Sequence, residues 1–299
     1  MQWQDGEESS NVEDVRGSSG GGGLPFGGRS IGIGAIVVAL LGSYFLGIDP
    51  SVILGLLSGG GGGTPQVQQQ PAPRPEANGA TEDPQVRFVR IVLRETELAW
   101  TQIFQARNAT YQPPTLDIFR GSYPTACGQG VAAAGPFYCP ADQKVYLDLD
   151  FFQMLEQRFQ APGDFARAYV VAHEVGHHVQ KLLGITAKTD ALRERMSATE
   201  YNRVSVRVEL QADCFAGVWG HWMASPANQS RVKLDPGDTD EALRAATSIG
   251  DDTLQKQARG TVVPDSFTHG TSAQRVSWFK RGLDSGDVAQ CDTFAATSL

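Results

Sequence analysis

Cysteine is scarce in this chain of 299 residues: there are four, Cys127, Cys139, Cys214 and Cys291, and none stands before position 127. Basic charge is scarce as well. Residues 1–84 carry nine acidic and three basic side chains and residues 85–299 carry 24 and 22, so most of the net charge of −8 belongs to the first quarter. The rest is close to neutral, which excludes a nucleic acid partner because phosphate binding needs a basic surface. There is no Gly-X-Y period, no sustained heptad and a single long apolar run, which exclude collagen, a coiled coil and a multi-span membrane protein. Residues 1–84 do have backbone breakers in excess, with 19 of the 34 glycines and 7 of the 16 prolines. Such a segment cannot hold a core of ordinary density. The roughly 215 residues that follow suffice for one globular domain burying roughly 70% of its unfolded surface.

The apolar run is SIGIGAIVVALLGSYFLGI, the 19 uncharged residues between Arg29 and Asp49. As a helix it spans about 28 Å, close to the hydrocarbon thickness of a bilayer. Its acidic leader and the absence of an A-x-A site argue for a retained single-pass transmembrane helix, against the alternatives of a cleaved signal or a soluble core helix. Arg16 and Arg29 precede the run and Arg74 is the next basic residue, so the expected orientation puts the N-terminus in the cytoplasm and the large domain outside. The cysteines all follow the run. An even set in an exported part suits two disulfides, with three connectivities; a short Cys127–Cys139 loop is favoured, which leaves Cys214–Cys291, while four buried thiols are the alternative.

Four regions follow: a disordered cytoplasmic N-terminus at 1–29, the transmembrane helix at 30–48, a Gly/Pro/Gln-rich linker at 49–84 and a folded domain at 85–299. From Gln85 the apolar spacing of Phe88, Ile91, Val92, Trp100 and Ile103 predicts a long amphipathic helix. Thr115–Phe119 alternates as a strand, and Pro136–Cys139 and Lys144–Asp148 flank a turn at Pro140–Gln143, a hairpin pattern. Helices are expected near 149–159, 164–183, 189–227, 238–258 and 272–282, the third with a possible break. Few strands followed by many helices mean a helix-dominated α+β fold with a small sheet.

The expected 164–183 helix contains His173-Glu174-Val175-Gly176-His177, an H-E-x-x-H. On a helix the two histidines fall on one face one turn apart and can share an ion, while Glu174 stands beside it to deprotonate a water. Residues 166–172 are mostly apolar, so this face is buried, and desolvated imidazole and carboxylate groups need a partner that a metal provides. Gly176, costly inside a helix, implies close approach of something to the backbone. A catalytic zinc site needs a third protein ligand and an open fourth position. Glu209 and Asp213 lie at i and i+4 among Leu210, Ala212, Phe215 and Val218, which makes Glu209 the candidate ligand and Asp213 the acceptor that orients a ligating imidazole. His178 projects about 100° from His177 and reads as a packing residue. His221 lies off the Glu209 face. His269 sits in FTHGTSAQR just before a helix start marked by the Thr271/Gln274 capping spacing, where it could hydrogen-bond an oxyanion or simply occupy the surface.

HEVGHHVQ at 173–180, ELQADCFAGVW at 209–219, the ACGQG, GPFYCP and VYLD segments of 126–148, and THGTSAQR at 268–275 resemble the bacterial putative neutral zinc metallopeptidase family. The resemblance covers nearly the whole chain. It implies a zincin-like domain of the glutamate-ligand kind, with His173, His177 and Glu209 on Zn2+, Glu174 on the water and Asp213 orienting; His269 matches the transition-state donor of membrane-linked relatives only loosely. The expected function is a membrane-anchored zinc endopeptidase of the bacterial inner membrane, its domain periplasmic or extracellular, acting on a peptide or protein substrate that pairs with an edge strand at Lys144–Asp148. The alternatives are a zinc-stabilised binding or scaffold module of the envelope and a zinc amidase acting on cell-wall peptides.

Overall fold

The computed structural model describes residues 1–16, 83–131, 135–226, 228 and 230–299. Helix α1 (Pro84–Gln105) starts where Pro84 presets the first turn and the Asp83 carboxylate accepts from the Gln85 N–H. Its apolar stripe, including Phe88, Val89, Ile91 and Trp100, is buried, at about 1.5–3 kcal/mol for each large side chain. The sheet consists of β1 (Val12–Asp14), β2 (Thr115–Phe119), β5 (Phe137–Cys139) and β6 (Lys144–Asp148) in the order β1-β2-β6-β5. β1 and β6 both run parallel to β2, with Val12 opposite Leu116 and Leu116 opposite Val145, and β5 pairs antiparallel to β6. A separate hairpin, β3 (Ser122–Thr125) and β4 (Gly128–Val131), is tied to β5 by the Cys127–Cys139 disulfide.

The helical layer comprises α2 (Asp150–Gln157), α3 (Asp164–Leu182), α4 (Ile185–Arg193), α5 (Ala198–Ala224), α6 (Asp238–Ser248), α7 (Asp251–Arg259) and α8 (Ser272–Ser285). Capping boxes start α5, through Ser197 and Glu200, and α8, through Thr271 and Gln274. α5 and α8 touch backbone to backbone: a methyl added at Gly217 or Gly282 would overlap the Phe279 or Cys214 carbonyl. Cys214, on this face, pairs with Cys291 in a 3₁₀ turn at Val288–Cys291, so both disulfides follow the favoured connectivity.

The helix-dominated α+β expectation holds for the domain, and several details are corrected. The Lys144–Asp148 strand is interior, between β2 and β5; the edges are β1 and β5. The hairpin pattern is local, whereas the β2–β6 and β1–β2 ladders join segments far apart in sequence and leave no local trace. The break allowed for in 189–227 is present and separates α4, which begins earlier at Ile185, from α5, whereas 238–258, expected as one helix, divides into α6 and α7. At the second break Gly250 passes so close to Ser272 that a side chain would overlap it, and the Asp251 N–H donates to the Gly270 carbonyl at 2.9 Å.

The single-pass membrane arrangement and the inner-membrane localisation drawn from it are also corrected. Residues 30–48 lie outside the described residues, and among the described residues no helix is long and apolar enough to cross a membrane. Moreover, the segments before and after that run belong to one structure. Besides the β1–β2 ladder, the Trp3 indole donates to Asp164 at 2.9 Å, Ser9 to Glu97 at 2.6 Å and Arg16 to Asp83 at 2.7 Å. A single crossing would place these partners on opposite sides of a bilayer. Residues 1–16, expected within a disordered terminus, are thus an edge of the domain; the expected linker lies outside the described residues except at its last two positions.

Candidate metal centre

α3 and α5 cross where each carries its candidate side chains. Gly176 makes the crossing close: a Cβ there would stand 3.0 Å from the Ala212 carbonyl oxygen and 3.1 Å from its Cα. The close approach implied by a glycine inside the motif is therefore the backbone of the second helix, between Glu209 and Asp213. The crossing brings donor atoms of His173, His177 and Glu209 within 4.8 Å of one another. Glu209 Oε2 lies 3.1 Å from His173 Nε2 and 3.5 Å from His177 Nε2.

The remaining ring nitrogens settle which atoms carry protons. His173 Nδ1 faces Asp213 Oδ1 at 2.9 Å, and Asp213 also accepts from the Tyr169 hydroxyl at 2.5 Å and from Arg275 Nε and Nη2, each at 2.9 Å. An ionised carboxylate can only accept, so His173 holds its proton on Nδ1. His177 Nδ1 lies 2.9 Å from Gln180 Oε1, while Gln180 Nε2 donates to the Val208 carbonyl at 2.7 Å and to Gln211 Oε1 at 3.0 Å. With its amide hydrogens so committed, Gln180 presents oxygen to His177, whose proton is again on Nδ1. Both Nε2 atoms thus converge on one carboxylate oxygen, where protons bridge them to Glu209 until a cation takes the protons' place and meets two imidazole lone pairs and a carboxylate at one point. Two imidazoles and one carboxylate form a donor set that suits zinc.

Charge follows the same geometry. Burial alone would lower His173, but the Asp213 and Glu209 carboxylates push it up to about 10. His177 is raised by Glu209 against the same opposition, and Glu209, which burial would raise, is held well below the usual carboxylate range by His177 and His269. Asp213 and Arg275 are both buried. Their bidentate pairing compensates two desolvated charges, and loss of one partner would strand the other.

Glu174 is buried beside the two histidines and lines, with them, a cavity of about 410 Å3. His269 borders the same cavity from the loop before α8. Its backbone N–H donates to Asp251 Oδ2 at 2.7 Å, and its Nδ1 is engaged by Thr268 Oγ1 at 3.0 Å and Asp251 Oδ1 at 3.3 Å. His178 is packed as expected: Nε2 lies 2.7 Å from the Gln112 carbonyl, which fixes the proton there, and Nδ1 accepts from the Tyr138 hydroxyl at 3.0 Å. His221 is exposed, its Nδ1 2.8 Å from the Leu283 carbonyl. Sequence reasoning missed Tyr169, Gln180 and Arg275. Tyr169 and Gln180 lie four residues before His173 and three after His177, on the motif's own face, a signal that was there to use. Arg275 stands within THGTSAQR, but nothing local ties it to Asp213.

A model of the "Putative neutral zinc metallopeptidase" family matches residues 1–294. The "Uncharacterized protein YpfJ" of Escherichia coli (strain K12) is 51% identical over 300 residues, covering 98% of this chain and 99% of that protein. The "Uncharacterized protein Rv2575" of Mycobacterium tuberculosis (strain ATCC 25618 / H37Rv) is 40% identical over 219 residues, 71% of this chain and 73% of that one. No solved structure matches. With two helices presenting two imidazoles and a carboxylate to one point, and a family model spanning nearly all its length, the chain belongs to the putative neutral zinc metallopeptidase family.

Proposed function

We propose that the protein is a zinc-dependent endopeptidase in which His173, His177 and Glu209 hold the metal and Glu174 is the general base. The observation that carries this reading is the convergence of both Nε2 atoms on the Glu209 carboxylate, with Nδ1 of each ring engaged by Asp213 or Gln180 so that Nε2 is the atom offered to a metal. Bound there, zinc supplies Lewis acidity to a carbonyl oxygen and lowers the pKa of a water toward about 7.

The chain's own residues do the rest. Glu174 takes the proton of the attacking water and delivers it to the leaving amine. His269, its Nδ1 held by Asp251 and Thr268, has Nε2 left to donate to the substrate oxygen as negative charge builds on it. Asp213 keeps His173 in its binding tautomer, and Arg275 and Tyr169 keep Asp213 in place. Phe137 and Tyr138 of the edge strand β5 border the cavity, so β5 supplies the backbone groups with which an extended peptide pairs.

A closed structural zinc site uses four protein ligands, whereas among the described residues three side chains form the candidate group and both His178 nitrogens are committed elsewhere. This favours the hydrolytic reading over a zinc-stabilised scaffold. The test uses the full chain, zinc-loaded, on a peptide library that includes cell-wall peptides. Wild type should cleave members of it, and Glu174→Gln should bind one zinc per chain yet lose about 10²–10⁴-fold in rate. Undiminished cleavage by Glu174→Gln would refute the mechanism, and cleavage confined to cell-wall peptides would make the protein an amidase of that class.

A further inference from the structure

The hydrogen bonds behind His177 continue well past Gln180. Gln211 accepts from Gln180 Nε2 through its Oε1 at 3.0 Å, and its own Nε2 donates to the Cys291 carbonyl at 2.9 Å. Cys291 is cross-linked to Cys214, three residues after Gln211 on α5. Arg207, four residues before Gln211, donates to the Thr293 and Ala296 carbonyls, and Thr293 Oγ1 returns a bond to the Arg207 carbonyl at 2.7 Å. Positions 207, 211 and 214 form one stripe of α5. That stripe grips the C-terminal segment, while Glu209 and Asp213, on another face of the same helix, serve the metal centre.

The polarity of this series is fixed at its far end. A backbone carbonyl only accepts, so Cys291 obliges Gln211 to turn its NH2 outward and its oxygen toward Gln180. Gln180 in turn directs its NH2 to Gln211 and to the Val208 carbonyl and its oxygen to His177. An amide flip at either glutamine would set NH2 against NH2 or oxygen against oxygen. At His177 a flipped Gln180 would favour the tautomer protonated on Nε2, which has no lone pair for a metal. Gln180, Gln211 and Cys291 are all buried, so water is not at hand to repair a broken link. The Val208 carbonyl, one residue before Glu209, is the second anchor of Gln180, so one amide joins both helices' ligands.

We propose that Gln180 and Gln211 are positioning residues for His177, and that the disulfide-held Cys291 turn sets their orientation, so that zinc affinity depends on the Cys214–Cys291 bond. The proposal rests on the metal-site reading above. Its test is zinc affinity of the full chain, measured by competition with a chromophoric chelator, together with the visible spectrum after loading with Co2+. Gln180→Met should weaken zinc binding by about 10- to 100-fold, the usual effect of removing a group that orients a ligating imidazole, and Gln211→Met by roughly the lower end of that range. Both should alter the Co2+ bands, which report ligand geometry and not global stability. Replacing Cys214 and Cys291 together by Ser should cost about as much as Gln211→Met. Combining the two changes should cost no more than the larger, because they break one series of bonds. If losses multiply, if Gln180→Met and Gln211→Met bind zinc as wild type does with unchanged Co2+ spectra, or if the Ser pair binds zinc normally, the relay is refuted. Should the Ser pair fail to fold, the two Gln variants, which keep both disulfides, decide alone. Wild type that binds no zinc would overturn the relay and the metal-site reading together, whereas normal binding by the variants overturns only the relay.

Discussion

Gly176→Ala is the sharpest probe of how the two helices build the site. The added methyl would meet Ala212 at 3.0 Å from its oxygen, 3.1 Å from its Cα and 3.3 Å from its Cβ, all inside ordinary contact at 3.4 Å. Two of these atoms are backbone, which cannot rotate aside, so α3 and α5 must part by a few tenths of an ångström. Glu209 lies one turn from Ala212 and moves with it, whereas zinc tolerates ligand displacements of only about 0.2 Å. Two effects oppose each other in stability. Alanine favours the helix over glycine by about 1 kcal/mol. Overpacking costs about 1–3 kcal/mol, so the metal-free variant should be weaker by about 0–2 kcal/mol, a fall in Tm of at most roughly 8 °C. Zinc affinity should fall by at least about tenfold, a loss out of proportion to the change in melting. Thermal melts of the metal-free protein beside chelator competition separate the two. A variant that melts higher than wild type and binds zinc equally well would show that the helices are not in limiting contact and would refute the argument.

Two further outcomes follow from groups outside the ligand triangle. Arg275→Met takes the bidentate cation from buried Asp213, leaving His173 beside it, and should cost about 3 kcal/mol in urea unfolding of the metal-free protein; a loss under about 1 kcal/mol would mean that the pair is not the compensating contact. Asp251, which burial would raise, is held below the usual carboxylate range by His269 and by the N–H groups of Thr268 and His269. A depressed carboxylate stabilises above its unfolded pKa of about 3.9 and loses that contribution as pH falls through its lower folded value. Amide protection of residues 268–270, corrected for intrinsic exchange, should therefore persist from pH 7 to about 4 and fade below it. Fading already between about pH 6 and 5 would contradict this origin.

Local patterns were readable and distant pairings were not. His173 and His177 share a face because they are four apart, Glu209 and Asp213 for the same reason, and the burial of both pairs follows from their apolar neighbours. The hairpin of β5 and β6 is likewise written in adjacent residues. The ladder of β1 on β2 joins Val12 to Leu116 with nothing in either segment to announce the other, so the head read as a polar tail. Lys144–Asp148 looked like an edge because its second partner, β2, precedes it by a long stretch. Arg275 escaped for the same reason: its meaning lies in Asp213, on another helix, and an arginine in the first turn of an expected helix gives no hint of burial.

The short strand at Val12–Asp14 governs how the protein must be handled. A truncated product beginning near residue 85 would lack one outer rail of its sheet, leaving the β2 backbone bare to recruit a foreign strand and inviting aggregation. A proteolytic nick between residues 16 and 83 should not detach the head, because hydrogen bonds and ion pairs, not chain continuity, fasten it. Fusion partners and affinity tags at the front of the chain would sit against the folded body rather than at the end of a loose leash.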